Sequence, residues 1–324
     1  MLYPLIFKPI FKEIIWGGYD ILPYKGIPAD SRTIGESWEL SHVSENVSVV
    51  ANGDLEGKTI DELIDKYGVR LLGSKVMERF GKTFPLLIKF IDAQENLSIQ
   101  VHPNDKLAKI RHNSFGKTEV WYVVDAAPGA VLYSGFSKQI DAEEYIKRIE
   151  NDSITDVLQR YEVEAGDVFF IPAGRVHTIG SGCFIAEIQQ TSNITYRIYD
   201  YNRKDINGNE RELHTAMAKD AIDYTLYPDY KTRYTLVENK TTELVRCDYF
   251  TTNLLLLNEN KQRDLSSLDS FVVYMCMEGE AVLKDDKGNI LPLRQGQTAL
   301  ISAETNSLSI EPEQGVKLLE TFIE

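Results

Sequence analysis

Apolar residues along this chain come in short runs, with Gly, Pro, Asn and Asp between them. Residues 120–124, 168–171, 250–257 and 271–275 are rich in β-branched and aromatic side chains and are bounded by turn residues. That pattern predicts strands of an antiparallel sandwich or barrel. Helical spacing occurs in three places. Thr59-Ile60-Asp61-Glu62 has capping-box spacing and predicts a helix through about Phe80, with Ile60, Leu63, Ile64 and Tyr67 on one face. Residues 141–158 set Ile146, Ile149, Val157 and Leu158 at helical intervals, and residues 212–226 do the same with Leu213, Met217, Ala221 and Ile222. A few short helices among many strands predict a mainly-β protein.

The second half of the chain partly repeats the first. Residues 163–173 match 293–303 at an offset of 130, and 122–132 match 274–283 at an offset near 150. The offsets differ by roughly the length of the predicted 141–158 helix, so the first copy carries a helical insertion within a shared β unit. Each copy runs strand, glycine turn, strand, sharp corner. This is the rhythm of the jelly roll, and the expectation is two jelly-roll (cupin) β-barrel domains. The first would span 1–228, with helical insertions near 59–80, 141–158 and 212–226, and the second 229–324. A length of 324 residues suits two cores better than one.

Polar residues separate the copies. In Leu97-Ser98-Ile99-Gln100-Val101-His102-Pro103, alternation points Ser98, Gln100 and His102 the same way. An inward strand face ending in Gln and His is a poor core but a natural source of two metal ligands. Glu119 opens the next apolar run, and His177 follows the Pro172–Gly174 corner. Two imidazoles, a carboxylate and an amide oxygen make an N/O set suited to Zn²⁺, with Mn²⁺, Fe²⁺ or Co²⁺ as alternatives. The second copy has Glu304-Thr305-Asn306-Ser307 in the corresponding corner and no His, so it is expected to be a degenerate barrel without metal ligands. His42, His112 and His214 read as structural or exposed.

Charge narrows the partners. With 35 Lys+Arg against 49 Asp+Glu, the net charge is −14, which argues against nucleic acid as a partner. Two or three placed cations can still hold a phosphate. Cys183, Cys247 and Cys276 are scattered without framework spacing, as expected for thiols in a reducing compartment. The first residues lack a basic segment followed by a long apolar one, and no run approaches the ~18 apolar residues of a membrane span. A cytoplasmic protein with no membrane partner is expected.

Several motifs carry a family resemblance. Ile15-Trp16-Gly17-Gly18, residues 35–41 (Gly-Glu-Ser-Trp-Glu-Leu-Ser), Ile99-Gln100-Val101-His102-Pro103-Asn104, residues 116–122 (Gly-Lys-Thr-Glu-Val-Trp-Tyr), Ala173-Gly174-Arg175-Val176-His177 and residues 195–201 (Thr-Tyr-Arg-Ile-Tyr-Asp-Tyr) resemble, in order, the signatures of type I mannose-6-phosphate isomerases. The resemblance implies a zinc-dependent aldose–ketose isomerase that interconverts mannose 6-phosphate and fructose 6-phosphate, with one Zn²⁺ per chain and a small sugar phosphate as its substrate; the oligomeric state is not readable from the sequence. It places the ligands on Gln100, His102, Glu119 and His177, the active-site arginine on Arg197, and the pocket lysines on Lys89 and Lys117. Trp16 and Ser98 fall in the pocket wall. Longer members insert a separate helical domain where this chain has only the short 141–158 segment, so it resembles the short bacterial form.

Moving a carbonyl between C1 and C2 needs a base, a stabiliser of developing oxyanion charge, and a hold on the phosphate. Arg197 suits the oxyanion. Lys117 stands two residues from Glu119 and shares its face; Lys89 interrupts the apolar run 85–91 and so faces inward. Either lysine could bind phosphate or serve as base, and the sequence does not decide between them. A metal-dependent cupin oxygenase and a non-catalytic sugar-binding cupin are the alternatives; the Gln ligand and the cations weigh against the first, and the complete set of site residues weighs against the second.

Overall fold

The computed structural model describes residues 2–204 and 208–324. Its organising elements are Leu86–Ala93 and Cys183–Gln190, strands buried at all eight of their positions. They pair antiparallel, with Lys89 opposite Glu187. They sit inside a seven-stranded sheet ordered Lys231–Thr232, Val168–Ile171, Glu119–Ala126, Cys183–Gln190, Leu86–Ala93, Ile10–Gly18 and Ile34–Leu40. A five-stranded sheet faces it, ordered Leu158–Glu162, Val131–Phe136, His177–Ile179, Ile99–Val101 and Tyr196–Tyr199.

Period-two alternation divides each central strand between two cores. Ile91, Trp121, Val123, Phe169, Ile171 and Ile185 point into the jelly roll, where they meet Leu132 and Ile179 of the facing sheet. Leu86, Ile88, Phe90, Val120, Tyr122, Ala186 and Ile188 point the other way, into a larger core shared with Leu63, Leu71, Leu254, Val273, Met275 and Leu319. Strands buried on both faces read as nearly continuous apolar runs, and that explains the runs in the sequence. The outer face of the five-stranded sheet is covered by the helices Ala142–Glu150 and Thr215–Ala221, through Ile99, Val101, Tyr145, Tyr196 and Ala218.

The second jelly-roll unit is built on an eight-stranded sheet ordered Leu5–Ile6, Thr298–Ile301, Val272–Asp285, Ser307–Phe322, Thr251–Leu257 and Thr241–Arg246, with Lys261–Asp264 and Ile290–Arg294 alongside. Thr298–Ile301, Val272–Asp285, Ser307–Phe322 and Thr251–Leu257 follow the same order as Val168–Ile171, Glu119–Ala126, Cys183–Gln190 and Leu86–Ala93 in the first unit. The sequence repeat is therefore also a topological one. Leu5 pairs with Leu300 and Ile6 with Ala299, so the N-terminal strand lies in the second unit's sheet.

The helices differ from expectation in their limits. The single helix expected over 59–80 is three: Ile60–Tyr67, Val69–Leu72 and Ser74–Phe80, interrupted at Gly68 (φ 49°) and Gly73 (φ 95°). Left-handed backbone at these two residues ends each turn. The capping box is present, with Glu62 N donating to Thr59 Oγ1 at 3.2 Å and Thr59 N to Glu62 Oε2 at 2.9 Å. The 141–158 segment is helical only over Ala142–Glu150; Ile154–Val157 forms a 3₁₀ turn and Leu158 begins a strand. The 212–226 helix contracts to Thr215–Ala221. Asp105–His112, capped by Asn104 accepting from Leu107 N at 3.0 Å, was not expected. Only Ala108 on it is buried, so it shows no apolar stripe to read. Among the described residues no helix is long and apolar enough to cross a membrane.

Asp92, 4% exposed, accepts from Asp20 N at 2.8 Å. Gly18 allows this approach, since a Cβ there would lie 2.3 Å from Asp92 Oδ2. Burial pushes the Asp92 carboxyl up to about 6, whereas an unfolded Asp titrates near ~3.9. A folded value above the unfolded one gives stability that is full below about pH 4 and lost as pH rises through 6. Asp92→Asn keeps an acceptor for Asp20 N and removes the charge. It should stabilise the protein by roughly 1–3 kcal/mol at pH 7.5, with the gain shrinking toward zero at pH 4. Denaturant melts at the two pH values check this; a gain independent of pH would contradict it.

Candidate metal centre and its cavity

Three neighbouring strands of the five-stranded sheet set one row of side chains. Gln100 is the cross-strand partner of His177 on one side and of Arg197 on the other. Ile99 and Val101, flanking it, are packed in the outer core, so Gln100 is turned toward the barrel interior. His102 follows as the strand ends at Pro103. Glu119, the first residue of Glu119–Ala126, reaches the same point from the opposite sheet.

His102, Glu119 and His177 are 1%, 0% and 0% exposed. Each offers a ligand atom, and these atoms all lie within 4.8 Å of one another. His102 Nε2 is 3.5 Å from Glu119 Oε2, and His177 Nε2 is 3.3 Å from Glu119 Oε1. The opposite ring nitrogens face backbone carbonyls: His102 Nδ1 donates to Ile194 O at 3.0 Å and His177 Nδ1 to Arg175 O at 2.9 Å. Those bonds fix the tautomers and aim both Nε2 lone pairs at the carboxylate. Burial keeps both rings neutral, lowering His177 to about 3 and His102 well below its usual value. Gln100 completes the ring, its amide 3.3 Å from His177 Nε2; a half-turn of the amide presents its oxygen.

Neither Glu119 oxygen has a hydrogen-bond partner among the described residues. Lys117 Nζ lies 2.9 Å from Oε2 and 3.0 Å from His102 Nε2, so one ammonium is shared between a carboxylate and an imidazole lone pair. Burial pushes the Glu119 carboxyl upward against the pull of Lys117. Two lone pairs and a dry carboxylate converging on one point is a poor arrangement without a cation. A borderline divalent metal fits this donor set.

Above the centre is a cavity of about 190 Å³. Trp16, Lys89, Ser98, Gln100, Lys117 and Arg197 all line it, so the structure gathers the expected pocket residues on one wall or another. Arg197 donates from Nη1 to Glu212 O at 2.9 Å, and its backbone N donates to His214 Nδ1 at 3.1 Å. His42, bonded to Asp61 and Phe84 N, His112, bonded to the Tyr196 hydroxyl, and His214 stay outside the metal cluster, as expected.

Sequence reading missed Glu187. It is 3% exposed, lines the cavity, accepts from Trp121 Nε1 at 3.0 Å and sits 2.9 Å from Lys89 Nζ. The signal was there: Glu187 interrupts an apolar strand just as Lys89 does. Glu36 stands 3.9 Å from the same ammonium. Burial alone would lower the Lys89 ammonium, but Glu187 and Glu36 outweigh it and hold the lysine charged. Burial would likewise raise Glu187, but Lys89 and then Lys117 hold it well below the usual carboxylate range.

Comparison with known proteins places this geometry. Residues 5–123 match the model of the type I phosphomannose isomerase catalytic domain, and 240–316 that of the mannose-6-phosphate isomerase cupin domain. The chain is 36% identical to mannose-6-phosphate isomerase ManA of Bacillus subtilis over 95% of its own length and 96% of the relative's. It is 38% identical to the mannose-6-phosphate isomerase of Streptococcus mutans over 68% of each chain. A crystal structure of mannose 6-phosphate isomerase from Bacillus subtilis superposes with a TM-score of 0.88 at 31% identity, covering 99% of both chains.

The buried Lys89–Glu187 pair yields a stability test. Lys89→Met strands Glu187 as a dry, unpaired charge and should cost about 3–5 kcal/mol. Lys89→Met with Glu187→Gln removes both charges and should recover most of that loss. Urea midpoints of the single and double variants decide; equal destabilisation by both would mean the pair carries no coupling.

Proposed function

The chain belongs to the type I phosphomannose isomerase family, and we propose that it interconverts mannose 6-phosphate and fructose 6-phosphate, with one Zn²⁺ held by Gln100, His102, Glu119 and His177. The observation that carries this reading is the convergence of His102, Glu119 and His177 beside Gln100, which also lines a cavity whose walls bear Lys89, Lys117, Arg197 and Arg211. Neutral imidazoles, one carboxylate and one amide suit zinc, which when bound supplies Lewis-acid polarisation of sugar oxygens. An O₂-activating iron usually asks for a facial triad with open positions, and Gln100 and the cationic walls favour the isomerase over that reading.

The chain's own residues divide the work. Isomerisation removes a proton from C2 and delivers one to C1 through an enediol. Arg197, beside Gln100 in register, is placed to donate to the enediolate oxygen with a permanent charge. Lys117, tied to Glu119 and His102, presents its ammonium at the cavity wall and donates to a sugar oxygen there. Lys89 holds Glu187 in place at the wall. Trp16 and Ser98 shape the space around the sugar. The first 228 residues then carry the chemistry. Residues 229–324 form the structural unit, with Leu255, Tyr274, Cys276, Leu283, Leu293 and Leu318 in its interior. We place the reaction in the cytoplasm, where the three free cysteines stay reduced.

A coupled assay following fructose 6-phosphate from mannose 6-phosphate tests the proposal: turnover should vanish with a strong chelator and return with zinc. His177→Ala should lose bound zinc as well as turnover, measured by metal analysis after dialysis; a variant that keeps one zinc per chain removes His177 from the ligand set. Arg197→Ala should keep its zinc, lower kcat on the order of 10²–10³ and change KM little, since it removes an interaction formed mainly in the transition state. A rise in KM alone would make Arg197 a ground-state binder.

A further inference from the structure

The isomerase reading leaves the substrate's phosphate without an assigned partner. The lysines that motif spacing offered for it are already committed. Lys89 lies between Glu187 and Glu36, and Lys117 between Glu119 and His102. Their side chains are 7% and 6% exposed, and each is matched by carboxylate. A phosphate monoester dianion brought there would meet Glu187 and Glu119 as well as the ammonium groups.

The opposite edge of the cavity has the reverse balance. Arg197, Arg203 and Arg211 gather around a single buried carboxylate, Asp200, which is 5% exposed. Asp200 accepts from Arg203 Nη2 at 2.5 Å, from Arg211 Nε at 2.7 Å and from Arg211 Nη2 at 2.6 Å. Arg203 has a further partner in the exposed Glu95, 3.8 Å away. Arg197 spends one Nη1 donor on a neutral carbonyl, and its buried Nε has no partner among the described residues. Asp200 is the buried carboxylate of this group; Glu95 beside Arg203 and Glu212 near Arg197 are exposed and screened by water, so within the cavity the guanidinium charge is undermatched. Arg197 and Arg211 both line the cavity, and Arg203 does not.

We infer that Arg211, oriented by Asp200, is the anchor for the phosphate group of the substrate, with Arg197 between that anchor and the metal row. The inference rests on the isomerase reading for the identity of the phosphate bearer. The Nε–Nη2 edge of Arg211 is occupied by Asp200, so Nη1 is the part that turns to the ligand, and the planar fork cannot swing away while Asp200 holds it. Arg197 lies next to Gln100 in strand register. A hexose 6-phosphate anchored on Arg211 would then pass its chain over Arg197 toward the centre, bringing C1 and C2 to the metal and leaving C6 at the edge.

The test uses the zinc-loaded full chain and inorganic phosphate as probe. Calorimetric titration should show phosphate binding to the wild type and roughly tenfold to hundredfold weaker binding to Arg211→Gln, the loss expected for one charge-assisted contact. In turnover, Arg211→Gln should raise KM for mannose 6-phosphate by a similar factor with kcat within a few-fold, opposite to the split expected for Arg197→Ala. Arg211→Lys should recover part of the phosphate affinity. The Lys89→Met, Glu187→Gln double variant should bind phosphate as the wild type does. An Arg211→Gln protein with unchanged melting temperature and unchanged phosphate affinity would overturn the assignment, as would loss of phosphate binding in the double variant alone. If phosphate binding depends on Arg211 but the wild type does not convert mannose 6-phosphate, the anion subsite stands and the isomerase reading falls.

Discussion

A fully buried carboxylate facing two imidazole lone pairs at the centre of a β-barrel is the constraint around which this molecule is arranged. Glu119 is fully buried, and a lone carboxylate in such a place would be strongly disfavoured. Lys117 approaches one oxygen at 2.9 Å, but the imidazoles do not relieve it by donating. Two imidazoles turn lone pairs toward it because their Nδ1–H groups donate to the backbone carbonyls of Ile194 and Arg175. Lys117 supplies part of the missing charge and a divalent ion would supply the rest. Folding alone would have favoured an apolar residue here, so the cluster reads as stability given up for chemistry.

Strand alternation is what makes that concession affordable. The strands that carry Glu119, Lys89 and Glu187 into the barrel bury Val120, Phe90, Ile88 and Ala186 against the other unit with the intervening positions. A slip of one residue would exchange the two sets, placing charges in the shared core, so the register is held by packing on both faces. The second unit thus fixes the geometry of the first without touching the metal cluster. It also shows what a relieved version of the same scaffold looks like. Glu320 occupies the central strand opposite Tyr274 and Asn253, as Glu187 lies opposite Trp121 and Lys89. It accepts from Arg263, Tyr274 and Asn253, a closed network with every acceptor used. Nothing there is left for an ion to satisfy.

What the sequence could disclose follows from range. Gln100 lies on the strand Ile99–Val101 and His102 just past its end, before Pro103, so their common direction was legible from period two alone. Two jelly rolls were legible from the repeat, since strand, glycine turn and corner are local features. Helix limits were not, because Gly68, Gly73 and the left-handed Asp152 cut apolar periodicities that continue across them. Glu187 carried the same signal as Lys89, a charge inside an apolar run, yet one such residue reads as functional while two in register read as a pair, and register is long-range information. Arg211 and Asp200 lie 11 positions apart, each outside any helix or strand, so no periodicity links them and the cationic edge was invisible.

On the proposed isomerase reading, the two cation-bearing walls also account for how a sugar chain with phosphate at one end would be held in one direction. If both walls carried free positive charge, phosphate could settle at either end of the cavity, and some bound molecules would present C6 to the ligand cluster. Matching Lys89 and Lys117 with Glu187, Glu36 and Glu119 removes the attraction at the metal side and adds repulsion for a dianion. Leaving the guanidiniums undermatched around Asp200 keeps the attraction at the far side. In a confined site of low dielectric such an imbalance is worth more than the same charges would be in water. Orientation then comes from where carboxylates have been placed, and the lysines near the metal serve it by being neutralised.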